Sequence, residues 1–420
     1  MLDLSIIIPA LNEANNLREL LPRLKEVLGS TLNINDYEIL IVDANSRDGI
    51  EKVAEDNNVR LIRVERGYGI ALSTGFKESC GKYIITMDAD FSHSPYIIPK
   101  LYAYRHQADI LIASRYVKKG YSSSEFVRDK MSRVLNFVYR TVLSLPIKDM
   151  SSGFRLYNRR IFDEIKVNQK NYVALQEILM KSYACGFTIK EIPFHYYPRK
   201  YGSSKSRLFQ FGMEYLVNLC NFWRLRNSLE CADYEERAFY SRVWFQKYWQ
   251  RKRYSIIVDY CKNFKSILDI GCGSNQILDG LPQSIGCDIE INKLRYVRGP
   301  FRNLVQADVH NLPFKDDSFD ACILSQVIEH LPQNPAILDE VVRVNRKNGY
   351  IIIGMPDYDT HWYIIEKLYK LFHPMGAYDE HLTRYTKQSI INEMEKRGCK
   401  YCEHKYIFGA ELIIKFQKTA

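Results

Sequence analysis

The 420-residue chain is 46% hydrophobic and 26% charged, a composition typical of globular proteins that excludes disordered, collagen-like and multispanning membrane proteins. It has 59 lysines and arginines against 49 aspartates and glutamates, a net charge of +10 that favours anionic partners such as phosphates, nucleotides or an acidic membrane face. At roughly 150 residues per domain, the length predicts two or three domains.

The first half of the chain alternates strand-like and helical segments, with helices predicted at Leu17 to Leu28 and Gly69 to Glu78. This alternation predicts an α/β domain with a mainly parallel sheet, covered on both faces, whose ligands lie at the carboxyl ends of the strands. The predicted strands are Leu4 to Pro9, Tyr37 to Asp43, Val59 to Val64, Tyr83 to Asp88 and Ile110 to Ser114.

Two acidic residues end the fourth of these strands. Asp88 and Asp90 would present two hard carboxylates side by side, as needed to hold Mg²⁺ or Mn²⁺ against a diphosphate. Solvated acidic turns also produce an isolated DxD, so the surrounding motifs decide its meaning. In order these are IIIPALNE, ILIVDANSRDG, RGYGIAL, MDADFSHSP and ASRY.

That series resembles the family 2 glycosyltransferases, which have the GT-A fold. DMSSGFRLYN from Asp149 and EIPFHYYPRKYGSSK from Glu191 are similar to the polyprenyl (dolichyl) phosphate mannose synthases. The resemblance covers roughly residues 1 to 225. It implies a GDP- or UDP-sugar donor, a polyprenyl phosphate acceptor and a metal ion held by Asp88 and Asp90.

The resemblance also assigns binding residues. Base and ribose would contact Pro9, Leu11, Glu13 and Asp43, and the diphosphate would lie at Asp88. Ala44 replaces a second aspartate of many relatives, and Ser92 replaces a glutamine that binds the metal in some. The identity of the base and the third metal ligand therefore stay open.

A polyprenyl phosphate is already an anion at neutral pH, so transfer needs cations that steer it rather than a general base. The resemblance implies that such charge comes from Arg115, Arg128, Arg133, Arg199 and Lys205, with Arg115, Arg128 and Arg133 at the acceptor phosphate. A solvated basic face is the alternative interpretation.

The helix predicted at Leu208 to Trp223 is too short to span a bilayer and contains Glu214. Flanked by basic residues, it would either lie in a membrane interface or pack as a core helix. The amino terminus lacks the basic segment and cleavage site of a signal peptide. We expect a cytoplasmic protein that contacts the cytoplasmic membrane face, with its ten cysteines reduced, the isolated CxxC of Cys399 and Cys402 included.

A second α/β series follows, with a helix at Pro335 to Val344, and we place the domain boundary between residues 228 and 229. This gives a first domain of residues 1–228 and a second of 229–420. The predicted strands are Ser266 to Ile270, Ser284 to Asp288, Phe319 to Ser325 and Gly349 to Met355.

The first strand of this series leads into a GxG turn, but Gln276 stands where a dinucleotide fingerprint needs a third glycine. Together with QADVHNLPFKDDSFDACILSQVIEHL and RVNRKNGYIIIGMP, the turn is similar to the Rossmann-like class I S-adenosylmethionine-dependent methyltransferases, over about residues 235 to 420. The cofactor implied is S-adenosylmethionine. The resemblance puts its methionine end at Asp269, Gly271 and Gly273, its ribose at Asp288 and its adenine near Asp308.

His330 is a candidate base for methyl transfer, although a histidine there is often structural, and His381 is a weaker candidate. The sequence as a whole predicts a bifunctional enzyme of glycan or glycolipid assembly. The alternatives are a transferase with a saccharide acceptor whose methyltransferase acts on RNA or another unrelated substrate, and a scaffold of two decayed domains. No recognised RNA-binding module is present, so no nucleic-acid partner is expected.

Overall fold

The computed structural model describes residues 2–32, 36–124, 126–197, 212–298, 303–372 and 381–419. The chain divides into two compact units, one of Met1–Tyr183 with Phe187–Arg226, the other of Ala184–Gly186 with Asn227–Ala420. Each unit has its own seven-stranded sheet.

The first unit places helices on both faces of its sheet, and the aliphatic side chains of the central strand are fully buried. The strands are β1 (Leu2–Ala10), β2 (Tyr37–Asp43), β3 (Arg60–Arg63), β4 (Gly81–Thr86), β5 (Ile110–Ser114), β6 (Tyr121–Ser122), β7 (Arg155–Asn158), β8 (Ile189–Pro193) and β9 (His195–Tyr196). The helices are α1 (Ala14–Glu26), α2 (Ile50–Asp56), α3 (Tyr68–Glu78), α4 (Ile98–Ala103), α5 (Phe126–Leu143), α6 (Ile161–Glu164), α7 (Ala174–Ala184) and α8 (Gly212–Arg226), with a π-helix at Val27–Thr31 and a 3₁₀ turn at Pro95–Ile97.

The strand order is β3-β2-β1-β4-β7-β5-β8. The sheet is mixed rather than mainly parallel, because β7, which the sequence analysis left unassigned, lies antiparallel between β4 and β5. The carboxyl ends of β1, β2, β4 and β5 therefore meet the start of β7 at one edge.

The second unit repeats this plan with the order β12-β11-β10-β13-β14-β16-β15, in which β16 is antiparallel to both neighbours. The two units are α/β domains with mixed sheets, one GT-A-like and one Rossmann-like. The strands are β10 (Ile267–Ile270), β11 (Ser284–Asp288), β12 (Asn303–Gln306), β13 (Phe319–Ser325), β14 (Asn345–Pro356), β15 (Cys399–Ile407) and β16 (Glu411–Lys418). The helices are α9 (Tyr234–Phe239), α10 (Trp244–Cys261), α11 (Ile277–Gly280), α12 (Ile291–Val297), α13 (Pro335–Val344), α14 (Trp362–Phe372) and α15 (Lys387–Glu395), with a 3₁₀ turn at Ile328–His330.

Helix α8 is the described part of the helix predicted from Leu208, since residues 208–211 lie outside the described ranges. Its buried face, with Tyr215, Leu219 and Phe222, includes the contact with α5, where the Tyr139 hydroxyl donates to the Tyr215 carbonyl at 2.7 Å. Leu216 and Val217 are more than half exposed. Within the described ranges, no helix combines the length and apolar character needed to cross a bilayer.

The ten cysteines all fall within the described ranges and are free thiols. Cys399 is buried and Cys402 is exposed. The CxxC is therefore not closed into a disulfide.

Candidate active sites

Asp88 and Asp90 follow β4 at the edge where the strand ends meet. The backbone N–H of Asp88 donates to Nδ1 of the buried His93 at 2.8 Å, and Nε2 of His93 lies 3.6 Å from the Asp88 carboxylate. Burial lowers the pKa of His93, while the charge of Asp88 acts in the opposite direction. His93 therefore orients Asp88 as a neutral ring at neutral pH.

The other contacts of the pair come from hydroxyl groups. The Tyr68 hydroxyl donates to Oδ1 of Asp88 at 3.3 Å, and burial, followed by the charge of Asp88, raises the pKa of Tyr68 so that it keeps its proton. Ser92 donates from its backbone N–H and its hydroxyl to Oδ1 of Asp90. Ser92 therefore orients the Asp90 carboxylate. Two carboxylates held in this way fit a hard divalent cation.

A cavity of about 850 Å³ opens beside this pair. We call the part of its wall that carries the carboxylates of Glu13, Asp88 and Asp90 the polar section, and Pro9 and Leu11 also line the cavity. We call another part of the wall the apolar section, formed on α5 and α8 by Met131, Val134, Leu135, Val138, Leu216 and Leu219. One continuous cavity therefore offers both a carboxylate pair and a hydrocarbon surface.

Arg115, at the end of β5, also lines this cavity. Its guanidinium donates to both carboxylate oxygens of the fully buried Asp149, and to the Ser151 hydroxyl at 2.7 Å. Burial acts to raise the pKa of Asp149, but the charge and hydrogen bonds of Arg115 outweigh it, and the pKa is lowered. The predicted acceptor cation is therefore part of a buried ion pair, which gives its side chain a defined direction.

The other residues predicted for this site either do not line the cavity or lie outside the described residues. Asp43 is buried, accepts from Ser46 and Arg63, and is not part of the cavity wall. Arg133 is exposed on α5, pairs with Asp129 and does not line the cavity. The side chain of Arg128, and the whole of Arg199 and Lys205, lie outside the described residues.

Two further cations line the cavity, and the sequence reasoning did not single them out. Arg66 belongs to the RGYGIAL turn, so the motif itself was the available signal. Lys130 lies on α5, among residues that carry no motif.

The second candidate site is at the end of β10. Gly271 and Gly273 have φ values of 67° and 50°, a conformation that favours glycine. A Cβ at Gly271 would lie 2.4 Å from a methyl group of Val327. Asp288, at the end of β11, accepts from the Gly273 N–H and the Glu290 N–H, each at 2.8 Å. The glycine turn and the Asp288 carboxylate therefore form one unit.

Asp269 is buried, and no described residue donates a hydrogen bond to its Oδ2. Burial raises the pKa of Asp269 to about 8; a hydrogen bond to Asn275 lowers it and the charge of Asp288 raises it. A buried carboxyl group with one unpartnered oxygen, next to a glycine turn, fits the cationic methionine end of S-adenosylmethionine. Asp308, in contrast, is half exposed and accepts from the backbone and ring of His310, which lower its pKa.

Glu235, on α9, was missed by the sequence analysis. Its carboxylate accepts from the Ser274 hydroxyl and backbone beside the glycine turn, and from the Lys293 ammonium at 2.6 Å. Burial acts to lower the pKa of Lys293, but Glu235 outweighs it and the pKa is raised. Glu235 is far from the turn in sequence, so no local pattern could indicate this contact.

His330 belongs to a cluster that the sequence did not predict as a unit. Ligand atoms of Glu329, His330 and His381 all lie within 4.8 Å of one another. Glu329 is buried, neither carboxylate oxygen accepts a hydrogen bond from another described residue, and burial raises its pKa to about 7. The base predicted at His330 therefore stands beside two further titratable groups.

Comparisons with known proteins find one family model in each half of the chain. Residues 5–166 match the glycosyl transferase family 2 model, and residues 268–353 match a methyltransferase domain model. The chain is 36% identical over 213 residues to a dolichol-phosphate mannosyltransferase of Pyrococcus furiosus, covering 48% of this chain and 58% of that one. It is 32% identical over 237 residues to a dolichol-phosphate mannosyltransferase of Mycosarcoma maydis, covering 53% and 79%. The chain thus spans little more than half the length of the Pyrococcus relative.

Solved structures match each half in turn. A glucosyl-3-phosphoglycerate synthase from Mycobacterium tuberculosis, in complex with Mn²⁺, UDP and glucosyl-3-phosphoglycerate, is 17% identical with a TM-score of 0.42, covering 52% of this chain and 80% of that one. A SAM-dependent methyltransferase from Thermotoga maritima is 20% identical with a TM-score of 0.35, covering 44% and 98%.

Proposed function

This chain belongs to glycosyl transferase family 2, is similar to the dolichol-phosphate mannosyltransferases and has a methyltransferase domain after the transferase domain, and we propose that it assembles a lipid-linked sugar in two steps. Residues 1–228 transfer a sugar from a GDP- or UDP-sugar to a polyprenyl phosphate. Residues 229–420 methylate a related sugar or lipid intermediate with S-adenosylmethionine.

The observation that carries the first step is the continuity of the cavity. Its polar section holds carboxylates suited to a metal-bound diphosphate, and its apolar section offers hydrocarbon side chains from α5 and α8. A nucleotide sugar alone would not need the second surface, whereas an isoprenoid chain gains free energy for each apolar group it buries. The names of the mannosyltransferase relatives support the same acceptor class.

The acceptor phosphate attacks the anomeric carbon, the bond to the nucleoside diphosphate breaks, and a glycosyl phosphate ester forms. No proton has to be removed from the acceptor, so the protein mainly orients two anions. Arg115, Arg66 and Lys130 line the cavity and offset that charge. Asp149 aims Arg115 through its paired hydrogen bonds.

Asp88 and Asp90 would hold Mg²⁺ or Mn²⁺, which neutralises the leaving diphosphate when bound. His93 and Tyr68 orient Asp88, and Ser92 orients Asp90. In the second domain, Asp269, the glycine turn and Asp288 would bind S-adenosylmethionine, whose sulfonium supplies the methyl group. His330 is the candidate base there.

A lipid acceptor brings the chain to a membrane surface, and we place it peripherally on the cytoplasmic face. The exposed side of α8, with Leu216 and Val217, is available to acyl chains, and Arg224 follows on the same helix.

Donor-binding calorimetry on the whole chain tests the proposal. A panel of GDP- and UDP-sugars is titrated with Mn²⁺ and then with excess chelator, and S-adenosylmethionine is titrated separately. We expect one nucleotide sugar to bind in a metal-dependent manner and S-adenosylmethionine to bind without metal in the donor site. Failure of every nucleotide sugar would contradict the transferase assignment, and failure of S-adenosylmethionine would contradict the methyltransferase assignment.

A further inference from the structure

The turn after β13, with Glu329 and His330, and the segment at His381 bring a carboxylate and two histidines together in the second domain. We propose that Glu329, His330 and His381 bind a divalent transition-metal ion. The donor set consists of one carboxylate oxygen and two imidazole nitrogens, which suits borderline ions such as Zn²⁺, Fe²⁺ or Co²⁺. Such ions take bonds of about 2.0–2.2 Å, which needs donors about 3–4 Å apart. Ligand atoms already within 4.8 Å of one another need only a small inward movement.

The surroundings of the Glu329 carboxylate suit a bound cation. Its side chain is 1% exposed, and neither oxygen accepts a hydrogen bond from any other residue that the structure describes. A buried carboxylate left in this way is costly unless a cation joins it. The nearby Arg253 is committed elsewhere, because its Nε and Nη2 donate to the two carboxylate oxygens of Glu411.

The backbone holds the two halves of this cluster together. Thr383 donates from its N–H to the Glu329 carbonyl at 3.1 Å, and from its hydroxyl to the Leu331 carbonyl at 2.6 Å. These bonds keep the segment that begins at His381 against the turn of Glu329 and His330. The cluster therefore does not depend on side-chain contacts alone.

His381 also has the outer contact expected of a metal ligand. Its Nδ1 lies 2.6 Å from the Tyr358 hydroxyl, and the indole of Trp362 lies nearly parallel to its ring, with centroids 6.1 Å apart. When Nδ1–H donates to the Tyr358 oxygen, Nε2 becomes the ligand atom. Tyr358 and Trp362 thus hold the ring in one orientation.

The position of the ion suits a role in activating the methyl acceptor, and this role rests on the proposed methyltransferase activity. Val327, two residues before Glu329, packs against Gly271 of the glycine turn, so the cluster borders the proposed cofactor site. An acceptor hydroxyl bound to the ion would lose its proton to solvent more readily. Its oxygen would then bond to the methyl carbon as the carbon–sulfur bond breaks, leaving a methyl ether and S-adenosylhomocysteine. The acceptor class is therefore a hydroxyl compound such as a sugar.

The test titrates Co²⁺ into the full chain and follows visible absorption. We expect one equivalent to give ligand-field bands without the charge-transfer band of a thiolate, which would report one of the ten cysteines instead. Glu329→Gln and His381→Ala should each weaken Co²⁺ binding by about 100-fold or more, because a direct ligand matters at least as much as its outer partners. The matched control is His195→Ala, an exposed histidine in the first domain, and it should bind Co²⁺ as the parent does. Asp88→Asn, which alters the other candidate metal site, should also leave the bands unchanged.

A second measurement needs no variant. The ¹H NMR spectrum of the Co²⁺-loaded parent protein should show two exchangeable, paramagnetically shifted imidazole N–H signals. Absence of Co²⁺ binding, a thiolate band, unchanged affinity in both ligand variants, or absence of the two signals would overturn the proposal. Calorimetry with S-adenosylmethionine on the same samples separates the proposed ion site from the proposed cofactor site, because Co²⁺ binding and cofactor binding are measured independently.

Discussion

The guanidinium of Arg115 donates from Nε and Nη2 to the two carboxylate oxygens of Asp149, at 2.8 and 2.7 Å. Both residues lie at the edge of the sheet where β5 ends and β7 begins, and the Asp149 side chain is fully buried. The pair therefore has two roles. It holds a cation in the wall of the cavity, and it stabilises the fold at the site.

Arg115→Ala should destabilise the first domain by about 3–5 kcal/mol, because Asp149 would be left as a buried, unpaired charge. Arg115→Met combined with Asp149→Leu should cost less than either single change. The lowered pKa of Asp149 means that its contribution is present above the unfolded pKa of about 4 and is lost as the pH falls through the folded pKa. Urea unfolding of Arg115→Ala, of Arg115→Met, of Asp149→Leu and of the double variant, at neutral and acidic pH, measures this. Equal stability of Arg115→Ala and the parent would show that the pair is not energetically important.

Replacing Asp88 should abolish sugar transfer. Asp88→Asn removes a carboxylate charge from the metal site, and the several kcal/mol that a metal contributes correspond to a rate loss of about 1000-fold or more. Affinity for S-adenosylmethionine should not change. The matched control is Asp163→Asn, an exposed aspartate on α6. A radiochemical transfer assay measures the rate, and full activity of Asp88→Asn in excess chelator would rule out the metal assignment.

The apolar section can be tested on α5 with two equivalent residues. Val134 and Val127 are 62% and 67% exposed, but only Val134 lines the cavity. Val134→Asp should raise the KM for polyprenyl phosphate by about tenfold, since one lost apolar contact costs about 1–2 kcal/mol. Val127→Asp should leave it unchanged, and donor affinity should be unaffected in both. An equal effect of the two changes would indicate a general effect on the helix rather than lipid contact in the cavity.

Binding of S-adenosylmethionine should release a proton from Asp269. Burial raises the pKa of this carboxyl to about 8, so it is mostly protonated at about pH 7 in the absence of ligand, and a cationic ligand favours the charged form. Calorimetry in buffers of different ionisation enthalpy should give nearly one proton released at about pH 7 and almost none at about pH 9. Asp269→Asn should abolish this release. A release that persists in Asp269→Asn would assign the proton to another group, such as Glu329.

The sequence predicted which of the candidate site residues lie at the ends of buried strands. Asp88 and Asp288 each come directly after an apolar run, so their place at a strand end could be predicted from alternation alone. The pairing of Arg115 with Asp149 could not be predicted, because no local pattern links two residues that are 34 positions apart. Strand β7 was also missed, since RLYN is short and half polar, and without it the mixed sheet cannot be predicted.

In the second domain, contacts between distant segments likewise could not be predicted from the sequence. Glu329 and His330 stood in the motif that carried the methyltransferase resemblance, yet His381 reaches them from a separate segment, which the bonds of Thr383 hold in place. Glu235 reaches the glycine turn from α9, which precedes the whole domain sheet. Contacts of this kind depend on packing between elements, which the pattern of one sequence does not encode.

The proposed function requires that one cavity joins a nucleotide sugar to a polyprenyl phosphate. The most direct test incubates the whole chain with Mn²⁺, the nucleotide sugar that binds in calorimetry, and either a polyprenyl phosphate or a free monosaccharide, and measures product masses. We expect a new lipid whose mass is that of the polyprenyl phosphate plus one hexose unit, formed by the parent and not by Asp88→Asn. A disaccharide without any glycosylated lipid would contradict it.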